Sequence, residues 1–271
     1  MHRFFRFGPF GEMKKFFPYV SVILAMLIWS VSGVFIKHAL LTFSTLTLIV
    51  LRFTVAALLM LIIGLLWRRS AVLRLQRIEW RHVPLFALAS LFQPCLYYIL
   101  ETLSYDKLVS PTIAEALLST GPIFAPLFAF LLLREKVTRY NIYGILVSTA
   151  GMLMLVLCGA GQFSIGDVSG VPIALAAVTT SVLYTVVLRR IPGQYNPLSI
   201  VFYVQSFSLV FFYPVWAMVD GVHNPFASVA ADELLPALCS VGYLSVFASV
   251  TAFILFCYTV RRIGVTRTNM F

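Results

Sequence analysis

Charge is what this 271-residue chain has least of. Asp, Glu, Lys and Arg together make up 11% of it, against 61% hydrophobic residues, where a soluble domain carries about 25% charged residues. A water-soluble core cannot hide that much apolar surface, so a soluble globular protein is excluded. Histidine is scarce too. His2, His38, His82 and His223 are the only 4, and all lie outside the apolar runs. No H-E-x-x-H, nucleophile elbow, paired His and Asp or Walker A loop occurs, so no motif gathers catalytic groups or holds ATP. The 4 cysteines (Cys95, Cys158, Cys239, Cys257) sit in or at the ends of apolar runs without C-x-x-C spacing. They give neither a metal site nor a disulfide framework and read as small packing residues. No cofactor and no metal is expected.

Eight apolar stretches are present instead: 18–36, 45–67, 83–103, 112–133, 142–158, 171–188, 198–219 and 234–258. Each is near the ~20 residues a helix needs to cross a hydrocarbon core of ~30 Å. In lipid the backbone must pair internally, as a helix or a closed barrel. Barrel strands alternate apolar and polar residues; stretches such as 124–133 do not, so the spans are helices. The expected fold class is an all-α polytopic membrane protein with eight full spans. A cleaved signal peptide is not expected, because the run 16–36 is long and Lys37 follows it without a small-x-small site. Residues 1–17 mix Arg3, Arg6, Lys14 and Lys15 with Phe4, Phe5, Phe7 and Phe10, which suits the inner membrane surface.

Basic residues collect in every second connection. They are Arg68, Arg69, Arg74, Arg77 and Arg81; then Arg134, Lys136 and Arg139; Arg189 and Arg190; Arg261, Arg262 and Arg267. The other connections hold only Lys37 and Lys107 and collect Asp106, Asp167, Asp220, Asp232 and Glu233. By the positive-inside rule the N-terminus and the basic connections face the cytoplasm of a plasma or inner membrane. The net charge of +10 then describes orientation and contact with anionic lipid, and needs no nucleic acid.

Sliding the chain by about 150 residues exposes a repeat. Phe35-Ile36-Lys37 falls on Val187-Leu188-Arg189, Ser44-Thr45-Leu46 on Asn196-Pro197-Leu198, Leu100 on Leu255, and Lys107-Leu108 on Arg262-Ile263. Five spans make one unit. Five is odd, so the second unit enters from the opposite side, as in many secondary transporters. The expected organisation is a cytoplasmic segment 1–17, a first unit 18–160, and a second unit 161–271 that lacks partners for the fourth and fifth spans and is incomplete.

The fourth and fifth spans carry Ser110-Pro111-Thr112-Ile113-Ala114-Glu115-Ala116-Leu117-Leu118, Gly121-Pro122-Ile123-Phe124-Ala125-Pro126, Leu133-Arg134-Glu135-Lys136, Tyr143-Gly144 and Gly151. This pattern resembles the EamA-type members of the drug/metabolite transporter superfamily, as do Trp29, Ser32 and Gly33 of the first span and Arg52 of the second. The resemblance implies ten helices in two inverted five-helix repeats. It also implies transport of small metabolites, often amino acids, or of drugs.

Polar residues inside the spans are the candidates for a pathway. Ser90, Gln93, Tyr97, Glu101 and Ser104 share one face of the third span as a continuous helix. Thr112, Glu115, Ser119 and Pro122 repeat the device on the fourth. Two carboxylates suit a hydrated cavity, the alternative being a polar seam between helices. Arg52 either pairs with a carboxylate or serves the substrate. Glu101 is read as functional and able to carry a proton, while Glu115, nearer the surface, can be simply solvated. The second unit replaces Gln93, Tyr97 and Glu101 by Ala248, Ala252 and Phe256, leaving Thr180, Tyr184, Ser199, Tyr203 and Ser206, each as readily packing as binding. Trp29 lines the cavity or faces lipid. Pro122 and Pro126 are kink or gate candidates, or a static bend. Gly144 and Gly151 share a face of the fifth span and suit close packing, a homodimer contact included. Glu135, between Arg134 and Lys136, reads as a surface ion pair. The partners implied are a small-molecule substrate and the lipid bilayer. A secondary transporter, with proton coupling as an option, is the reading; a scaffold, a receptor or a membrane enzyme is the alternative.

Overall fold

The computed structural model describes residues 9–69, 74–108, 111–133, 139–159, 169–221 and 231–268. Expectations for residues 1–8, for the loop that carries Arg134, Glu135 and Lys136, and for Asp167 lie outside the described residues, as do the side chains of Thr112, Pro122, Cys158 and Asp232. Every element among the described residues is helical. In order they are α1 Pro9–Leu40, α2 Thr45–Leu66, α3 Val83–Ser90, a π-helical segment Leu91–Leu96, and α4 Tyr97–Lys107. Then come α5 Pro111–Leu118, α6 Gly121–Leu133, α7 Arg139–Gly159, α8 Gly170–Arg190 and α9 Pro197–Val219. The last are α10 Ala231–Tyr243, a second π-helical segment Leu244–Thr251, α11 Ala252–Ile263 and α12 Val265–Thr268.

Seven helical stretches are long and apolar enough to cross a bilayer: Phe16–Leu40, Thr45–Leu66, Trp80–Lys107, Ile113–Leu132, Gly170–Arg190, Pro197–Val219 and Glu233–Ile263. The expected count of eight is corrected at the fifth span. There the helix is α7, and Ile142–Gly151 is the shorter apolar stretch among the described residues. Its helix α7 lies at the periphery on α5 and α6, with Tyr143, Leu146 and Val147 exposed. A Cβ on Gly151 would meet nothing within 4 Å, so the close packing expected at that glycine is not made among the described residues.

Two spans are not the continuous helices expected. In the third, Gln93 takes an extended backbone (φ −152°, ψ 120°) before a cis Gln93–Pro94 peptide. Pro94 brings no amide hydrogen, and proline disfavours helical dihedrals in the residue before it. In the fourth, the chain breaks between α5 and α6 at Ser119-Thr120, and Pro122 is the second residue of α6 rather than a kink within a helix. Pro122 has no amide hydrogen for the carbonyl four residues back, so the turn closes through Thr120 N–H to Leu117 O at 3.2 Å and Ile123 N–H to Thr120 O at 2.9 Å. Pro126 lies inside α6.

The helices interlock. α1 packs most heavily on α11, and α8 on α4; α2 packs on α9. The repeat register turns α1 into α8, α2 into α9, and the third span into the α10–α11 span. The first two pairings exchange under it and the third maps onto itself. The matched tripeptides at Ser44 and Asn196 both cap helices: Ser44 Oγ accepts Thr47 N–H at 3.2 Å, and Asn196 Oδ1 accepts Ser199 N–H at 2.8 Å. The central core lies where α2, α9 and both π-helical segments meet, with Phe53 and Phe212 stacked at 5.7 Å.

The two ends differ. At one, the basic connections meet: Gln76 N–H donates to Ser199 Oγ, Arg189 Nη1 to Arg261 O, and Arg261 Nη2 to Pro192 O. At the other, Asp220 accepts from Ser44 Oγ and from Thr47 Oγ1, and Lys37 Nζ donates to Leu108 O at 2.8 Å.

Candidate functional site

A cavity of about 280 Å³ opens between α1, α2, the broken third and fourth spans, α8 and α11. Its walls fall on repeat-related positions. Met26 and Val178, Trp29 and Ser181, Ser30 and Val182 are matched pairs in α1 and α8, and all six line it. Glu101 and Phe256, matched in α4 and α11, line it too. The charged lining groups, Arg52, Glu101 and Glu115, all come from α2, α4 and α5, while α8 adds Ser181.

Of the residues expected from sequence, Trp29, Arg52, Gln93, Tyr97, Glu101, Glu115 and Ser119 are brought together here. Tyr184 and Tyr203 are not. Tyr184 is fully buried against Phe253, and Tyr203 packs on Phe86 and Phe202. Their hydroxyls made them candidates, but their rings fill the core. The polar stripe holds only in its middle. Ser90 Oγ donates to Val204 O, and Ser104 Oγ to Glu101 O at 2.7 Å, so both satisfy themselves on backbone. The turn at Gln93 breaks the expected register, yet leaves Gln93, Tyr97 and Glu101 on one wall.

Arg52 is 3% exposed. Of its two readings, pairing with a carboxylate is not seen: the ion pair found among the described residues within 4 Å is Arg81–Glu79. Arg52 Nε donates instead to Ser249 Oγ at 2.7 Å and Nη2 to Tyr98 OH at 3.4 Å, with the guanidinium 4.4 Å from the Tyr98 ring centre. Hydrogen bonds from a charged donor and a cation–π contact replace the ion pair. Trp29 Nε1 donates to Ala248 O at 3.0 Å, and Gln205 Nε2 donates to Ser249 O. Both carbonyls belong to the segment Leu244–Thr251, whose wide turns leave main-chain oxygens for side chains.

The carboxylates are held differently. Glu115 is partly buried and accepts Tyr105 OH at 2.6 Å through Oε1, so it is not simply solvated. Both groups press on Gly33, where a Cβ would come within 2.8 Å of each. Glu101 is 9% exposed; its Oε1 accepts Tyr97 OH at 2.8 Å, and its Oε2 has no hydrogen-bond partner among the described residues. Ser119 Oγ donates to Ala116 O at 2.8 Å. Sequence reading missed Tyr98, Ser249 and Ser181. The repeat register that pairs Trp29 with Ser181 was a usable signal; the hold of Tyr98 and Ser249 on Arg52 is one that no periodicity shows. No group of three or more His, Cys, Asp or Glu that could hold a metal occurs among the described residues.

Comparison with known proteins agrees with this architecture. The profile described as EamA-like transporter family matches residues 16–157 and again 168–271. An uncharacterized transporter of Archaeoglobus fulgidus is 21% identical over 259 residues, covering 96% of this chain and 85% of its own. A second from that organism is 27% identical over 228 residues, covering 82% and 76%. The uncharacterized transporter YetK of Bacillus subtilis is 29% identical over 175 residues, covering 61% and 47%.

Proposed function

Because the chain belongs to the EamA-like transporter family, a family of multi-pass membrane transporters, we propose that it is a secondary transporter whose substrates cross through the cavity around Glu101. The substrates are small metabolites, amino acids or drugs, moved by alternating access. The observation that carries this reading is Glu101, a carboxylate buried inside a membrane span, lining a cavity, with one oxygen unpartnered. A charge at that depth is costly unless function retains it. Breaks in the third and fourth spans border the same cavity, and discontinuous helices are what transporter sites are built from.

Glu101 gains and loses the proton that couples transport to a gradient. The units are 18–160 and 161–271, with 1–17 on the cytoplasmic face. The basic end, where segments 74–82, 189–196 and 261–268 meet, faces the cytoplasm of a plasma or inner membrane.

The test is Glu101→Gln in vesicles holding the purified protein, against a panel of labelled metabolites and drugs. This change keeps shape and hydrogen bonding while removing the titratable charge. Transport is expected to fall at least tenfold or to lose its pH dependence, with normal membrane insertion. Full transport with an unchanged pH profile overturns the role given to Glu101.

A further inference from the structure

The polar groups of the cavity do not balance one another. One guanidinium, Arg52, faces two carboxylates, Glu101 and Glu115. Arg52 spends two of its nitrogens on Ser249 and Tyr98. Glu115 holds the Tyr105 hydroxyl, and Glu101 Oε1 holds that of Tyr97. Two atoms are left over: Glu101 Oε2 and Gln93 Oε1, both buried and both without a hydrogen-bond partner among the described residues. Gln93 is 5% exposed.

Both leftovers are acceptors. Buried acceptors call for donors, and an anionic acceptor in a low-dielectric wall calls for a positive one. The surroundings suit a cation as well. Trp29, Tyr97, Tyr98 and Phe256 line the same space, and aromatic faces attract positive charge. A carboxylate fares worse, since Glu101 and Glu115 repel it and Arg52 is already engaged by the protein.

Resting on the reading of this cavity as the substrate pathway, we propose that the substrate carries a protonated amine and no carboxylate. Glu101 Oε2 and Gln93 Oε1 accept the ammonium hydrogens, and the apolar body lies against Trp29 and Phe256.

The full chain in lipid nanodiscs tests this by titration calorimetry with three probes of one shape and different charge: 2-phenylethylamine, phenylalanine and 3-phenylpropionate. The amine is expected to bind at least tenfold more tightly than either of the others. Glu101→Gln and Gln93→Met are each expected to weaken the amine tenfold or more, and neither is expected to weaken 3-phenylpropionate. Thermal melting of each variant checks its fold, and Gln93→Met stands alone if Glu101→Gln does not insert. Equal or tighter binding of phenylalanine or 3-phenylpropionate overturns the proposal, as does the absence of measurable amine binding. Vesicle transport separates it from the broader reading. Glu101-dependent transport of phenylalanine without amine preference sinks the amine assignment and leaves the transporter standing. Amine binding without transport of any solute does the reverse.

Discussion

Gly33 shows how much one absent side chain can decide. The α1 backbone meets the Glu115 carboxylate and the Tyr105 hydroxyl so closely that a methyl group would come within 2.8 Å of both. Gly33→Ala should cost about 1–3 kcal/mol, the usual range for overpacking, read as a lowered Tm in detergent. Adding Tyr105→Phe, which removes one of the clashing oxygens, should recover part of the loss; no recovery would place the strain elsewhere. Ser249→Ala should cost about 1.5–3 kcal/mol, because it strands a buried charged donor; a neutral outcome would mean that Arg52 finds another acceptor. Trp29, Arg52 and Glu101 were legible in the sequence because each is conspicuous in an apolar run. Tyr98 and Ser249 were not, because their role is defined by Arg52 from another helix. Tyr184 and Tyr203 misled, since a hydroxyl on a large ring signals packing as readily as binding.

Among the elements, the spans themselves were the most legible feature, since composition alone requires them. Their interruptions were legible in part. Pro94 and Pro122 stand in the sequence beside the two breaks of the first unit. The segment Leu244–Thr251 holds neither proline nor glycine; its wide turn is fixed by Trp29, Gln205 and Arg52 from other helices. Caps follow local chemistry. Asn196→Ala should lower stability by about 1 kcal/mol through the lost cap on α9, with more lost through its bond to Arg74 O; an unchanged Tm would show that Gln76 alone closes this end. Glu79 joins the same junction. Its carboxyl is held below the ordinary range, first by the Gln194 side chain and then by Arg81. Its folded-state pKa lies under the unfolded one, so its contribution is present above the unfolded value and fades as pH falls through the folded value. Gln194→Ala should move that titration upward, as followed by carbon-13 NMR of labelled glutamate; an unmoved titration would make Arg81 the main cause.

As a whole, the molecule holds together by exchange between its halves. α1 leans on α11 and α4 on α8, so neither half buries its own third span without the other. Residues 1–160 expressed alone should lack the protease resistance of the full chain, and co-expression with 161–271 should restore it; a resistant lone half would mean that the pairing is decorative. Orientation is tested at the same scale. A cysteine placed at Arg81 should be closed to an impermeant thiol reagent in intact cells, and one at Asp220 open to it. The reverse pattern would invert the assignment. The repeat offset made this exchange partly legible, because matched spans must have matched neighbours. It also showed that Glu101 is matched by Phe256, but not that Trp29 and Ser181 would line one cavity.

The wide turn at Leu244–Thr251 also gives the chain slack in length. A π turn carries one residue more than the α turn it replaces, while the helix on either side keeps its bearing. A one-residue deletion there should therefore be absorbed, leaving α11 and Phe256 in place, whereas the same deletion in the middle of α9 should swing everything beyond it and block insertion. The shortened chain would lose the spare carbonyls that tether Trp29 and Gln205. The span of α10 and α11 would still cross the membrane, but the indole beside the cavity would come adrift, visible as a red shift of its fluorescence.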